Sequence, residues 1–167
     1  VKSRLTLIVI TGMAALLVLL TYVRSHRVPK NDGRDVSQTK SEWLTDFATA
    51  QQRAQAENKP LLIDFTGSDW CPPCELLERD VFSQREFADY AVRNLVLLRV
   101  DFPHGKSLSA AQQEANDSLA QRFYIQGFPT ILALGPEGKL RGQIELGPLL
   151  NPAKFITNLE AVTKKPR

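Results

Sequence analysis

Two cysteines, the only ones in this chain of 167 residues, stand three apart in Trp70-Cys71-Pro72-Pro73-Cys74. Thiols at that spacing support a short list of chemistries. Half a zinc site is one, but no further cysteine completes it, and with only two histidines, His26 and His104, a zinc-ribbon reading has no second ligand pair. Haem attachment needs a histidine after the second cysteine, where this chain has Glu75. Two inert buried thiols, or a dithiol that cycles with a disulfide, remain. Position favours the cycling pair. An apolar run, Leu61-Leu62-Ile63-Asp64-Phe65, ends shortly before the motif, and a helical pattern with Leu76, Leu77 and Val81 follows it. Cys71 then falls at a helix N-terminus, where the macrodipole and free N–H groups stabilise a thiolate. Cys74, one turn on, is placed to resolve a mixed disulfide.

The residues around the thiols tune that chemistry. Proline fits the first helical turn, where N–H groups have no intrahelical partner. Pro72 and Pro73 nonetheless each remove a donor that could have solvated the Cys71 thiolate. The expected Cys71 pKa is therefore moderately depressed, and the disulfide is not expected to be a strong oxidant. Asp69, Glu75 and Glu78 could raise the Cys71 pKa by like-charge repulsion; we read them as a solvated helix face that filters substrates. His104 is read as a solvent-exposed loop residue and His26 as linker. No metal, nucleotide or flavin pattern accompanies the motif, so no cofactor is expected.

The elements that must position these groups follow from the apolar pattern. Ser41 is expected to cap a helix carrying Trp43, Leu44, Phe47, Ala48, Ala50 and Ala54, stopped by Asn58 and Pro60. The run at 61–65 reads as a buried central strand, interrupted by the acid Asp64. A helix around 86–92, a strand at 95–100, a loop over 102–113 and a helix around 115–123 come next. Beyond Gly127-Phe128-Pro129-Thr130 lie a strand at 131–134, a turn at 135–138, a strand at 140–145 broken by Gly147 and Pro148, and a helix over 152–162. Gly127 and Gly147 are read as backbone requirements. The order α-β-α-β-α-β-β-α alternates as parallel units do in front and closes with a hairpin, an α/β architecture with a mixed sheet.

Ahead of this domain, Leu5 to Val23 form 19 residues without a charge, flanked by Lys2 and Arg4 and by Arg24 and Arg27. As a helix the run spans ~28 Å, close to the hydrocarbon thickness of a bilayer. A cleaved signal would have a shorter apolar core and a small-x-small cleavage site, and a buried core helix would leave the charged flanks unexplained. We read an uncleaved single-pass anchor at 5–23 behind a cytoplasmic tail at 1–4, then a linker at 24–40 and a folded domain at 41–167. Counts of positive charge on the two flanks tie, so orientation rests on the short N-terminal tail staying in the cytoplasm. That places the domain in the periplasm or cell exterior, on the inner membrane. The first 30 residues hold five of the 21 basic residues and no acid, leaving 16 against all 18 acids in the remainder. The domain itself is thus slightly acidic, which argues against a nucleic-acid partner.

Asp64-Phe65, Trp70-Cys71-Pro72-Pro73-Cys74, Val100-Asp101 and Gly127-Phe128-Pro129-Thr130 together resemble the thioredoxin superfamily, over roughly residues 41–165. The local pattern Phe65-Thr66-Gly67-Ser68-Asp69-Trp70-Cys71, with Leu77-Glu78 and Val81-Phe82, is similar to bacterial membrane-anchored thioredoxin-like proteins. It is also similar to the C-terminal domain of thiol:disulfide interchange proteins. The Trp-Cys-Pro-Pro-Cys motif is shared with nucleoredoxin and tryparedoxin, which lean toward reduction. The resemblance implies a thioredoxin-like fold, with Cys71 as nucleophile, Cys74 as resolving thiol and a redox-active Cys71–Cys74 disulfide. It implies that Asp64 is the buried carboxylate that accepts the proton of Cys74, although the stretch from Asp64 to Cys71 is one residue longer than in thioredoxin. It further implies a cis peptide bond at Phe128–Pro129, with Phe128 pairing to an extended substrate and Pro129 keeping metal off the thiols. Trp70, Pro72 and Pro73 would contact substrate. Thioredoxin's buried lysine would be replaced by an apolar residue around Leu97, and the 102–113 loop is longer than thioredoxin's.

Two function classes follow. One is a monomeric, membrane-tethered thiol:disulfide oxidoreductase that reduces or exchanges disulfides of exported proteins, recharged by a membrane or thioredoxin-type electron donor. The other is a non-catalytic thioredoxin-fold module that binds peptides or senses redox state. The motif, Asp64 and Phe128-Pro129 together favour the enzyme.

Overall fold

A computed structural model describes residues 41–147 and 151–164. The expected tail, anchor and linker all lie outside the described residues. Among the described residues no helix is long and apolar enough to cross a membrane.

Strand β2 (Leu61–Thr66) is buried at every position. It is the central strand, and the sheet order is β1-β3-β2-β4-β5. Strand β3 (Val96–Asp101) runs parallel to β2, with Leu61 opposite Val96 and Thr66 opposite Asp101. Strand β4 (Thr130–Leu134) runs antiparallel on the other side of β2, and β5 (Leu140–Gln143) returns beside β4 through the 135–138 turn. β2 has helices on both of its faces, which explains why it reads as a continuous apolar run.

Alternation along β2 and β3 sends side chains to two cores. Leu61, Ile63, Phe65, Leu98 and Val100 face helix α1 (Phe47–Glu57) and helix α4 (Ala110–Arg122), which contribute Ala50, Ala54 and Leu119. Leu62 and Leu97 face the opposite way, toward helix α2 (Pro72–Leu77), its wider-wound continuation Glu78–Phe82, helix α3 (Arg85–Asn94) and helix α5 (Pro152–Thr163). The centre of that second core is aromatic: Phe82 packs on Phe87 at 5.0 Å and on Phe155 at 5.4 Å between ring centroids.

Three sequence expectations change. Trp43 and Leu44 are not helical. They form strand β1, parallel to β3, and α1 begins later under Asp46, whose carboxylate accepts the Thr49 N–H at 2.7 Å. The apolar spacing of Trp43 and Leu44 fits either state, and the free edge of β3 decides it. The loop after β3 is shorter than expected, because Ser109 caps α4 and Ala110 to Glu114 form its first turns. Gly127 and Gly147 have open space where a side chain would stand, so neither position requires glycine.

Asn116 of α4 is buried and donates to the Asp101 carbonyl at 2.8 Å, while Gln112 donates to the Asn116 amide oxygen at 2.8 Å. This ties the helix to the end of β3. Asn116→Ala leaves that carbonyl unpaired and should cost about 1–3 kcal/mol. Urea unfolding should show a lower midpoint with an unchanged slope.

Candidate active site

Cys71 is the N-cap of α2 and is joined to Cys74 by a disulfide; both residues are 4% exposed. The helix head accounts for its own donors. Pro72 and Pro73 have no N–H, and the Cys74 and Glu75 N–H groups both go to the Cys71 carbonyl, at 2.9 and 3.1 Å. Backbone help for a Cys71 thiolate is therefore reduced to the helix dipole. Trp70 lies across Gly67, where a Cβ would come within 2.5 Å of the indole, so a side chain there would displace the ring. Its Nε1–H donates to the Phe102 carbonyl at 2.7 Å, and 39% of the residue stays exposed. Phe128 meets Trp70 edge-on at 5.9 Å, and the Phe128–Pro129 peptide bond is cis.

Beneath the disulfide, Asp64 and Cys74 line one cavity of 320 Å³, together with Glu78 and Arg99. Despite the additional residue between Asp64 and Cys71, Asp64 lines the same cavity as Cys74. Burial is the dominant influence on Asp64 and pushes its pKa up to about 7; the Arg99 guanidinium opposes it and the Glu78 carboxylate adds to it. Arg99 stands directly opposite Asp64 in the β2–β3 register. Its Nε lies 3.4 Å from Asp64 Oδ2, an ion pair without a hydrogen bond, since neither Asp64 Oδ1 nor Arg99 Nε has a hydrogen-bond partner among the described residues. Arg99 Nη2 meets Glu78 Oε2, and the guanidinium sits 4.5 Å from the centroid of Trp43. A carboxyl group poised near 7 can take a thiol proton at neutral pH.

The apolar residue expected around Leu97 is there, and a cation stands nearby as well. Leu97 is buried opposite Leu62, but the positive charge comes from Arg99, two residues along the same face of β3. Glu78 is likewise an ion-pair partner rather than a plain solvated acid. Asp69 belongs to the loop after β3: its carboxylate accepts the His104 and Gly105 N–H groups at 2.9 and 2.7 Å, which hold its pKa below the usual carboxylate range. His104 is exposed, yet it stacks on Trp70 at 4.4 Å with planes 5° apart. Pro72, Pro73 and Glu75 are exposed around the disulfide. The one signal for Arg99 was its place in an otherwise apolar strand; Asp69 and His104 had none, because their partners lie 32 or more residues away.

A thioredoxin-like family model matches residues 42–136. The chain belongs to that family. Over 131 residues it is 28% identical to the disulfide bond reductase DsbH of Chlamydia pneumoniae, covering 78% of each chain. Over 112 residues it is 30% identical to the thiol:disulfide interchange protein DsbD 2 of Pseudomonas aeruginosa, covering 67% of this chain and 18% of that one. Among solved structures, a DsbH oxidoreductase superposes with a TM-score of 0.71 at 24% identity, over 86% of this chain and 98% of its own. The oxidised C-terminal domain of Neisseria meningitidis DsbD gives 0.52 at 20% identity, over 72% and 98%. Both confirm the thioredoxin-like fold, a mixed sheet with flanking helices. With its paired cysteines in a CxxC motif, this member of the family is a thiol:disulfide oxidoreductase.

Two outcomes check the electrostatics. Titrating the thiolate absorbance of the reduced protein should show the Cys71 pKa moderately below the free value of ~8.5, without the strong depression of an oxidising couple. For Asp64, burial raises the folded pKa from 3.8 to about 7, so the folded state holds a proton that the unfolded state has released. Its contribution to stability is intact below pH ~4 and is lost as pH rises through about 7. Asp64→Asn should match the wild type in urea unfolding at pH ~4 and exceed it by about 2–4 kcal/mol at pH ~8.

Proposed function

We propose that this protein is a membrane-tethered thiol:disulfide reductase for exported proteins, with its catalytic domain on the periplasmic side of the inner membrane. The head of α2 carries the direction of the chemistry. A strongly oxidising couple needs a much stabilised thiolate, and here two prolines and two occupied N–H groups leave Cys71 with little backbone solvation.

In the reduced protein the Cys71 thiolate attacks a client disulfide. The client S–S bond breaks as the Cys71–client bond forms, and the departing client thiolate takes up a proton. Cys74 then passes its proton to Asp64 and attacks the Cys71 sulfur, releasing the second client thiol. The client gains two electrons and Cys71–Cys74 becomes a disulfide, which a dithiol donor in the membrane or of thioredoxin type reduces again. Trp70, Pro72, Pro73 and Phe128-Pro129 frame the face that an extended client segment meets. The uncharged run at 5–23 supplies the tether. The 17 residues 24–40 join the tether to the domain, which keeps the domain near membrane-embedded donors and newly translocated clients.

Equilibration of the full chain in defined thiol buffers, followed by tryptophan fluorescence, should give a reduction potential near about −270 mV. A value near about −120 mV would mark an oxidase and overturn the direction. Turnover on an oxidised protein substrate should vanish in Cys71→Ser, and Cys74→Ser should accumulate a mixed disulfide through Cys71.

A further inference from the structure

The loop after β3 does more than close the sheet. It is pinned at three places: Asn116 holds the Asp101 carbonyl at 2.8 Å, Trp70 Nε1 holds the Phe102 carbonyl at 2.7 Å, and Asp69 takes the His104 and Gly105 N–H groups. Gly105 fits this grip closely, since a Cβ there would come within 3.0 Å of the Asp69 carboxylate. The result is a preorganised wall facing Trp70 and Phe128 across a cleft of 510 Å³. That volume lies within the ~300–1,000 Å³ range of ligand sites. A loop serving only as a cover would bury the ring it packs on, yet Trp70 is 39% exposed and His104 is exposed as well.

The lining has two chemistries. Its floor is aromatic: Phe102 stacks on Phe128 at 5.1 Å, and Phe128 meets Trp70. Its rim carries Lys106, which no ion pair engages among the described residues, and no acid lines the cleft. The nearby carboxylate of Asp69 is already committed to the loop backbone. Two of its lining residues, Trp70 and Phe128, directly precede Cys71 and Pro129 in the chain. A segment whose disulfide reaches Cys71 is therefore placed to enter it.

We infer that this cleft is a specificity subsite. It receives a large apolar or aromatic side chain lying next to the client's disulfide cysteine and favours an acidic residue beside that side chain through Lys106. The inference rests on the reductase reading and names the class of client segment it accepts. A rigid wall lowers the ordering cost of binding, so selection falls on the client's sequence.

The test uses the reduced full-length protein and stopped-flow tryptophan fluorescence. Three oxidised peptides carry Phe-Glu, Phe-Lys or Ser-Glu beside the cysteine, and rates are normalised to bis(2-hydroxyethyl) disulfide, which is too small to reach the cleft. Phe-Glu should react about fivefold faster than Phe-Lys at low ionic strength, a preference that shrinks as salt is added. It should react about tenfold faster than Ser-Glu. Lys106→Glu, an exposed substitution, should invert the Glu-over-Lys preference. Equal normalised rates for the three peptides, or a Glu-to-Lys ratio unmoved by Lys106→Glu, would overturn the subsite while leaving the reductase reading in place. Failure to reduce any of the four disulfides would remove the reductase reading and the subsite with it.

Discussion

The active face depends on one constraint, the parallel pairing of β2 with β3 in register from Leu61–Val96 to Thr66–Asp101. Parallel strands deliver their C-terminal ends to the same edge of the sheet, so the segments leaving them meet there. One of those segments carries Trp70 and Cys71, and the other carries Phe102 to Gly105. Ser68 donates to Asp101 from both its N–H, at 2.9 Å, and its hydroxyl, at 2.6 Å, which closes the junction. The same register sets Arg99 opposite Asp64. A slip of one residue would turn Arg99 to the other face of the sheet and leave the buried carboxylate with no cation beside it.

Asp64 shows what this arrangement costs. A carboxyl group in the central strand of a buried sheet is expensive when charged, and an ion pair at 3.4 Å without a hydrogen bond compensates for only part of that. An apolar residue of similar size would suit the fold better. A pKa near neutrality is what partial compensation produces. Arg99 is divided among Asp64, Glu78 and the face of Trp43, so its charge is not given over to any single partner.

The two sides of the disulfide differ in kind. On one side the cavity that Asp64 lines also holds Glu75, Glu78, Arg79 and Arg99 beside Cys74. On the other, the cleft that contains Trp70 and Phe128 is aromatic with Lys106 at its rim. The contrast between a charged side and an aromatic side arises from which loops the sheet brings together.

Much of this was legible in the residues themselves. Cysteines three apart after a buried run and before a helix state thiol chemistry, because spacing and helix polarity are local properties. The two prolines state how the thiolate is solvated for the same reason. Strands β2 to β5 and helices α3 and α5 were readable within a few residues from apolar periodicity. Trp43 and Leu44 were not, since two residues satisfy either period and only the free edge of β3 makes them a strand. Arg99 did not stand out because its role exists only in the register with Asp64. Asp69 and His104 looked like solvated positions because nothing within ten residues of either explains them. Local chemistry, written in neighbouring residues, was determined by the sequence alone. The partners of Asp64, Trp70 and Asp69 were decided by tertiary structure, because hydrogen bonds and ion pairs between distant segments exist only once the sheet has set them side by side.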